Sequence, residues 1–293
     1  MTPLSTIAPL AVALLQAPGY VPERVYDTRA KAFVDFEVML TDAALADVIF
    51  VGEQHDDPNT HRLEAGILEG LKRRNVAPVL SLEMFERDVQ PALDAYLSGS
   101  ATEEDTLRSA RPWPRYKTDY RPLVELARAN AWPVIGANVP RRIASAVATG
   151  GREAIDQLVE SDRPFVAREL RCPLDGYFER FAKSMDSHPA PNQKPEQQRA
   201  MTERYYWSQC VKDETMAESI AAAVERRTGP GPVVHYNGAF HSDFGLGTAE
   251  RTRRRLPGKR ILIVSMLPVD SLDALHPSGE DLQRADYLVY TVK

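Results

Sequence analysis

The sequence has few cysteines and none of the common glycine-rich active-site patterns. Only two cysteines, Cys172 and Cys210, occur in 293 residues. No C-x-x-C pair is present, which excludes a zinc ribbon and a thioredoxin-like motif. The two cysteines fit either one disulfide or two buried thiols. A Walker pattern, a strand-anchored G-x-G-x-x-G and a G-x-S-x-G elbow are also missing, so the sequence indicates neither a nucleotide-binding loop nor a serine hydrolase of that type.

An excess of basic charge is lacking as well. Lysine and arginine number 36 against 41 aspartate and glutamate, and the net charge is −5 with a pI near 5.8. Binding to phosphate backbones requires a basic surface, so nucleic acid is excluded as the main partner. The basic run at 251–255 lies on a predicted helix, and we expect it to be a solvated helix face.

No apolar run is long enough to span a bilayer as a helix. The apolar stretch "LSTIAPLAVALLQA" near the N-terminus has the length of a signal-peptide core, with Ala17 at the expected cleavage position. No lysine or arginine precedes it, the first being Arg24, and no cysteine suited to a lipoprotein anchor follows it. We therefore interpret residues 1–19 as a signal or leader segment of an exported protein, with an irregular tail in a cytoplasmic protein as the alternative.

The rest of the chain, residues 20–293, reads as a single α/β domain. Short apolar runs alternate with helical patterns, which predicts a mostly parallel, twisted sheet with helices on both faces. The predicted strands lie in "DVIFVGE", "APVLSLEMF", "WPVIGANV", "GPVVHYNGAFH", "RILIVSML" and "ADYLVYTV", after an edge hairpin in "RVYDTRAKAFVDFEVML". A mostly helical insertion around 141–200, with a proline-rich break that contains His188, is expected to cap the carboxyl ends of the strands.

Carboxylates and histidines follow the predicted strands where those strands end. They are Glu53 and His55 in "VIFVGEQH", Glu83 in "VLSLEMF", and His241 in "NGAFH". Ligands of open α/β sheets bind outside the carboxyl ends of the strands, so we expect these four side chains to converge in one cleft. Together they would form a divalent-metal shell or a general acid/base set. The alternative for Glu83 is a salt bridge to Arg87, Arg141 or Arg142.

Other residues fit either a site or a plain structural role. His61 suits a second layer around the site or a surface position, whereas His235, inside a strand, suits the core. Tyr206, Gln209 and Asp213 share one face of a predicted helix, which looks either into the pocket or into solvent. The segment "RPWPRYKTDYRP" groups aromatic and cationic residues, which suits a flat anionic ligand or a packed loop.

At these residues the chain resembles the ChaN-like haem-binding family of the Tiki/TraB and erythromycin-esterase-like superfamily. The matching stretches, in family order, are "YDTRAKAFVDFEVML…ADVIFVGEQHDDPNTH", "SLEMFERDVQPALDAYLSG", "WPRYKTDYRPLVELA", "VIGANVPR", "DETMAESIA" and "NGAFHSDFGLGTAERTRRRL". They cover most of residues 25–269. The resemblance implies an α/β fold, haem binding, a role in haem or iron uptake with membrane-associated partners, and a homodimer with paired haems.

The resemblance also implies site residues. Haem iron in that family is bound by a tyrosine, and Tyr177 is the expected ligand, with Tyr116, Tyr120 and Tyr206 as alternatives and Arg141 as a further haem-binding residue. The wider superfamily implies a rival function, a metal-dependent or Glu/His-dependent hydrolase. Glu53 and His241 would then be catalytic, and Glu53, His55, Glu83 and His241 would form the metal shell.

Overall fold

One mixed sheet of eight strands organises the protein. The computed structural model describes residues 22–185 and 194–293, so the leader at 1–19 and His188 lie outside the described residues. The strands are β1 (Glu23–Asp27), β2 (Ala32–Val34), β3 (Val48–Glu53), β4 (Val79–Glu86), β5 (Val134–Asn138), β6 (Val233–Gly238), β7 (Ile261–Val269) and β8 (Tyr287–Val292). Their order across the sheet is β2-β1-β8-β7-β3-β6-β4-β5.

Strands β3 to β8 run parallel to one another, and β1 pairs antiparallel with both β2 and β8. This confirms the predicted α/β sheet and its edge hairpin. The α-helices of the described part are α1 (Phe36–Ala43), α2 (Pro58–Arg73), α3 (Gln90–Leu97), α4 (Glu103–Ala110), α5 (Tyr116–Asp119), α6 (Arg121–Ala129), α7 (Arg141–Gly150), α8 (Glu153–Asp156), α9 (Gly176–Met185), α10 (Pro195–Arg226) and α11 (Gly247–Arg255). None of the described helices is long and apolar enough to cross a membrane.

The helices cover both faces of the sheet. Alternate residues of a strand point to opposite faces, so Ile49 and Val51 pack with the α2 side of the core, whereas Val48 and Phe50 pack against α10 and α11. Helix α2 begins at Pro58, because Asp57 caps it by accepting a hydrogen bond from the Asn59 amide at 3.1 Å, and Pro58 occupies the first turn.

The predicted hairpin is too long at its C-terminal end. The segment "FEVML" is not strand but the start of α1, which buries Met39, Leu40 and Ala43. These residues are one, three and four positions apart, which is the spacing of one helix face rather than the alternation of a strand, so burying them together requires a helix.

The basic run on α11 is also not the solvated face we expected. Arg251 is 3% exposed, and the buried carboxylate of Glu214 on α10 pairs with Arg251, Arg254 and Arg255. A buried carboxylate requires cationic partners, and these three arginines fasten α11 to α10.

The predicted helical insertion lies over the carboxyl edge of the sheet. Within it, α7 packs on α10, and α9 places Phe181 over the same edge. A disulfide between Cys172 and Cys210, with Cα atoms 5.7 Å apart, joins the segment before α9 to α10. Of the two alternatives for Cys172 and Cys210, the structure thus has the disulfide rather than two buried thiols.

The start of β6 depends on a glycine that touches the neighbouring backbone. A Cβ at Gly231 would lie 2.0 Å from the carbonyl oxygen of Ala77, whereas a Cβ at Gly229 would meet nothing within 4 Å. We expect Gly231→Ala to lower the free energy of unfolding by about 1–3 kcal/mol because the backbone must shift. Gly229→Ala is the matched control and should change it by less than about 0.5 kcal/mol. Urea denaturation of both variants measures this, and equal stabilities would contradict the close contact.

Candidate functional site

The carboxyl edge of the sheet brings the predicted site residues together. Glu53 is the last residue of β3 and is paired in register with Gly238, the last residue of β6. Glu83 lies on β4, beside β6, and His241 ends the short 3₁₀ turn that follows β6. His55 follows β3 by two residues. The four side chains that we expected to converge therefore lie at one edge, as the parallel topology requires.

Two Gly-x-x-His motifs, Gly52 to His55 after β3 and Gly238 to His241 after β6, pack directly against each other. A Cβ at Gly52 would lie 3.0 Å from Cα of Ala239, and a Cβ at Gly238 would lie 2.7 Å from Nε2 of His55. Each glycine thus makes room for the turn that carries the other motif. This close approach, rather than positive φ, is the reason for glycine at both positions.

His55 is held at the cleft by a buried carboxylate. Its Nδ1 lies 2.5 Å from Oε1 of Glu53, which also accepts a hydrogen bond of 2.7 Å from the hydroxyl of Tyr120. Burial alone would raise the pKa of Glu53, but the hydrogen bond from His55 and nearby groups outweigh it and lower that pKa. The His55 side chain remains 46% exposed, and its second nitrogen, Nε2, lies against Gly238.

His241 is clamped between two buried carboxylates. Its Nδ1 lies 2.6 Å from Oδ1 of Asp213 on α10, and its Nε2 lies 3.3 Å from Oε1 of Glu83. Burial would lower the pKa of His241, but the two carboxylates outweigh that effect and raise it to about 10. The ring is therefore an imidazolium at neutral pH. With both nitrogens bound to carboxylates, it offers no lone pair to a metal ion.

Glu83 makes none of the salt bridges that we weighed as its alternative. Besides His241, it accepts a hydrogen bond of 2.8 Å from the backbone amide of Gly238. Arg87 pairs with Glu218 instead, and Arg142 pairs with Asp88 and Asp162. Burial would raise the pKa of Glu83, but His241 outweighs it, so the pKa lies well below its usual range.

Two clefts open on this edge and share a wall. The larger, about 790 Å³, is lined by Glu53, His55, Tyr177, Arg180, Phe181, Gln209, Phe240, His241, Phe244 and Arg284, among others. The second, about 510 Å³, is lined by His55, Glu83, Trp113, Arg141, Phe181, Tyr205, Gln209, Lys212 and His241, among others. Volumes of this order suit a cofactor or another small molecule.

The tyrosines predicted to bind haem iron are buried. Tyr177 lines the larger cleft but is 3% exposed, and its hydroxyl donates a hydrogen bond of 2.8 Å to Asp213. Burial, with Asp213 adjacent, raises the pKa of Tyr177 well above its usual value. Tyr116 packs in the core on Phe85, and Tyr206, fully buried, donates to the carbonyl oxygen of Pro173.

Sequence reasoning missed Tyr205. It is 39% exposed and lines the second cleft, as does Arg141. Tyr205, Ser208, Gln209 and Lys212 share one face of α10, at the helical spacing of three, four and seven. The predicted face through Tyr206 is instead partly a core face, and only Gln209 of it lines both clefts.

A second carboxylate–histidine group lies behind Glu53. One ligand atom each of Glu53, His61 and Glu64 lie within 4.8 Å of one another, and all three side chains are buried. In the part of the chain that the structure describes, this group, rather than the predicted Glu53, His55, Glu83 and His241 set, has the spacing of metal ligands. His61 is thus a buried site residue, and His235 is the expected core histidine, fully buried and 2.8 Å from Oγ of Ser81.

The protein is thus of the α/β class. Its sheet is mostly parallel, and a buried carboxylate–histidine cluster lies at the carboxyl edge of this sheet under a helical cap. A family model described as "Haem-binding uptake, Tiki superfamily, ChaN" matches residues 39–252. The chain belongs to this family.

Two solved structures have a similar fold. A structure of cofacial haem binding to ChaN of Campylobacter jejuni matches with a TM-score of 0.68 and 18% identity, covering 92% of this chain and 97% of that one. A Bacillus cereus protein matches with a TM-score of 0.53 and 12% identity, covering 87% and 90%. Both likenesses concern the fold alone.

Among curated proteins, the chain is similar to Protein RETICULATA-RELATED 5, chloroplastic, of Arabidopsis thaliana. The identity is 26% over 256 residues, which is 84% of this chain and 34% of that protein. The chain therefore spans about a third of the length of this relative.

The imidazolium of His241 yields a pH-dependent prediction. Its pKa of about 10 exceeds the value near 6.5 of an unfolded histidine. Its stabilising effect is therefore complete below about pH 6.5 and is lost as the pH rises through about 10. We expect His241→Gln to lower the free energy of unfolding by about 3–5 kcal/mol at pH 6, since it leaves two buried carboxylates without their cation.

The difference in free energy of unfolding between the wild type and His241→Gln should become smaller toward pH 10. Chemical denaturation at pH 6, 8 and 10 measures this difference. His276→Gln, at an exposed position, is the control and should change the free energy of unfolding by less than about 0.5 kcal/mol at each pH. A difference for His241→Gln that stays constant over this range would contradict the imidazolium.

Proposed function

We propose that this chain binds haem in the clefts at the carboxyl edge of the sheet and takes part in haem or iron uptake. The observation that carries the proposal is a cleft of cofactor size with aromatic walls and cationic residues, in a chain of a haem-binding family. Phe181, Phe240 and Phe244 offer apolar surface to a porphyrin. Haem is the cargo in this role.

Tyr205 is the residue best placed to bind the iron. Its side chain is exposed on the cleft, whereas Tyr177 would have to give up its hydrogen bond to Asp213 and lose a proton in a buried position. Ferric haem accepts tyrosine as an axial ligand. We therefore propose Tyr205, rather than Tyr177, as the ligand of the haem iron.

Two cations of the second cleft suit the propionates of haem. Arg141 and Lys212 line that cleft, and neither makes an ion pair with any residue in the described ranges 22–185 and 194–293. A guanidinium or an ammonium group free to bind a carboxylate is typical of an anion-binding site. The second cleft thus offers Tyr205 as an iron ligand, Phe181 as part of an apolar wall, and two cations.

Export and a homodimer are further parts of the proposal. The disulfide between Cys172 and Cys210 supports an oxidising location outside the cytoplasm, because such bonds persist mainly there. Cofacial haem binding in the Campylobacter jejuni relative supports a second copy of the chain as partner. Size-exclusion chromatography with and without haemin tests the dimer.

Absorption titration of the purified protein with haemin tests the function. We expect saturable binding with the high-spin ferric spectrum of a tyrosine ligand. Tyr205→Phe should change that spectrum and weaken binding at least about tenfold, which corresponds to about 1.4 kcal/mol. Tyr177→Phe is the matched control and should keep the wild-type spectrum.

Failure of the wild type to bind haemin would refute the proposed function. A spectrum that changes only in Tyr177→Phe would instead keep haem binding and move the iron ligand back to Tyr177.

Hydrolysis is a second candidate, favoured by the Glu53–His55 pair. A half-exposed imidazole whose other nitrogen is held by a buried carboxylate at 2.5 Å is the arrangement of a general base. The imidazolium of His241 could stabilise developing negative charge nearby. His55→Ala and Glu53→Gln should then each lower turnover of p-nitrophenyl acetate at least about a hundredfold. Turnover that persists in both variants would contradict a catalytic pair.

A further inference from the structure

The first turns of α2 place a histidine and a glutamate directly behind the cleft. His61 and Glu64 are three residues apart, so they share a helix face, and they are 4% and 0% exposed. Nδ1 of His61 lies 2.9 Å from Oε2 of Glu64 and 3.6 Å from Oε2 of Glu53. Glu53 thus has one oxygen at the cleft and the other at this buried group.

Two carboxylate oxygens in the group have no hydrogen-bond donor. Oε2 of Glu53 and Oε1 of Glu64 are fully buried, and neither accepts a hydrogen bond from a residue in the described part of the chain. Leaving such atoms unpaired is costly, and two buried carboxylates in contact also repel each other. Either a proton shared by the two carboxylates or a metal ion between them would relieve this.

The ring nitrogens of His61 face only acceptors, which either a second ring proton or a metal ion at Nδ1 would satisfy. Its Nδ1 faces only the two glutamates, and its Nε2 faces only acceptors, the carbonyl oxygen of His55 at 3.2 Å and Oδ2 of Asp119 at 3.4 Å. A neutral ring would leave one lone pair against an acceptor. A metal ion at Nδ1 resolves this, because Nε2–H then donates outward to a carbonyl or carboxylate, as metal-bound histidines commonly do.

The charges near the group also balance for a divalent ion. Asp119 is neutralised by Arg115, whose Nε lies 2.6 Å from its Oδ2. Without an ion, burial and the neighbouring Glu53 raise the pKa of Glu64 well above its usual value. With both carboxylates ionised, Glu53 and Glu64 would balance the charge of one dication. One imidazole nitrogen and two carboxylates are donors that suit Zn²⁺ or Mn²⁺.

We propose that Glu53, His61 and Glu64 bind one divalent first-row metal ion behind the cleft, at a site distinct from His55, Glu83 and His241. Glu53 links the two: one oxygen would bind the ion while the other holds His55 and Tyr120. The ion would thereby fix the carboxylate that orients His55. Metal binding at these three residues requires neither haem nor hydrolysis, so this proposal is independent of the proposed function.

Metal binding by the chelator-treated full chain tests the proposal. Isothermal titration with Zn²⁺ or Mn²⁺ should show one equivalent bound to the wild type. Glu64→Gln keeps the shape of the side chain but removes a charged donor, and it should weaken binding by more than the roughly 10–100-fold that follows loss of an outer partner. Glu83→Gln is the matched control, since the same change at another buried glutamate of this edge should leave metal affinity within about threefold of the wild type.

Two results would overturn the proposal. If Glu83→Gln loses the ion and Glu64→Gln keeps it, the ion belongs to the His55, Glu83 and His241 set. If the wild type binds no ion and Glu64→Gln is as stable as the wild type in thermal unfolding, the two glutamates share a proton instead.

A measurement on the wild type alone covers the case in which Glu64→Gln does not fold. Co²⁺ added to the chelator-treated protein should give visible absorption bands at one equivalent, and Zn²⁺ should displace them. Absence of these bands, with no heat from Zn²⁺ or Mn²⁺, would refute the site. Haemin titration before and after chelation separates the two proposals, because loss of the ion should leave haem affinity within about threefold.

Discussion

Compensation of buried negative charge is the constraint on which this site depends. Glu53, Glu64, Glu83 and Asp213 are each at most 4% exposed at the carboxyl edge of one sheet. A carboxylate in such a position must have a cation, a proton or several donors. His241 pairs with both Glu83 and Asp213, and His55 and Tyr120 contact one oxygen of Glu53. One oxygen each of Glu53 and Glu64 is left without a donor in the described part of the chain, and these two atoms are the basis of the proposed metal site.

The same helix that supplies charge compensation also shapes the cleft. Asp213, on the buried side of α10, holds His241, while Tyr205 and Lys212 on its open side line the second cleft. The disulfide at Cys210 and the three arginines on Glu214 fix α10 to the segments on either side of it. Ligand binding and charge compensation therefore share one rigid support, which suits a site whose groups must hold their positions before a ligand arrives.

The sheet and the convergence of four side chains could be predicted from the sequence because both follow from local patterns. Apolar runs define β3, β4 and β6, and parallel strands present their ends at one edge. The partners of those side chains could not be predicted in this way. Asp213 reaches His241 from 28 residues upstream, and which face of α10 lies inward depends on packing that a helical period alone does not determine.

His61 and Glu64 illustrate a signal that was present but ambiguous. A histidine and a glutamate three residues apart on a helix fit a solvated face as well as a ligand pair. Only the burial of the first turns of α2 beneath α5 separates the two. Tyr205 and Tyr206 show the same limit in reverse: adjacent residues on a helix point about 100° apart, so one lines the cleft and the other packs in the core.

The mutual packing of the two Gly-x-x-His turns has an evolutionary consequence. Gly52 leaves space for Ala239, and Gly238 leaves space for the ring of His55. A larger residue at either glycine displaces the turn of the other motif, and with it the histidine that the other turn carries. His55 and His241 are 186 positions apart in the sequence. We nevertheless expect the two motifs to change together in evolution, because replacing either glycine requires a compensating change in the other motif.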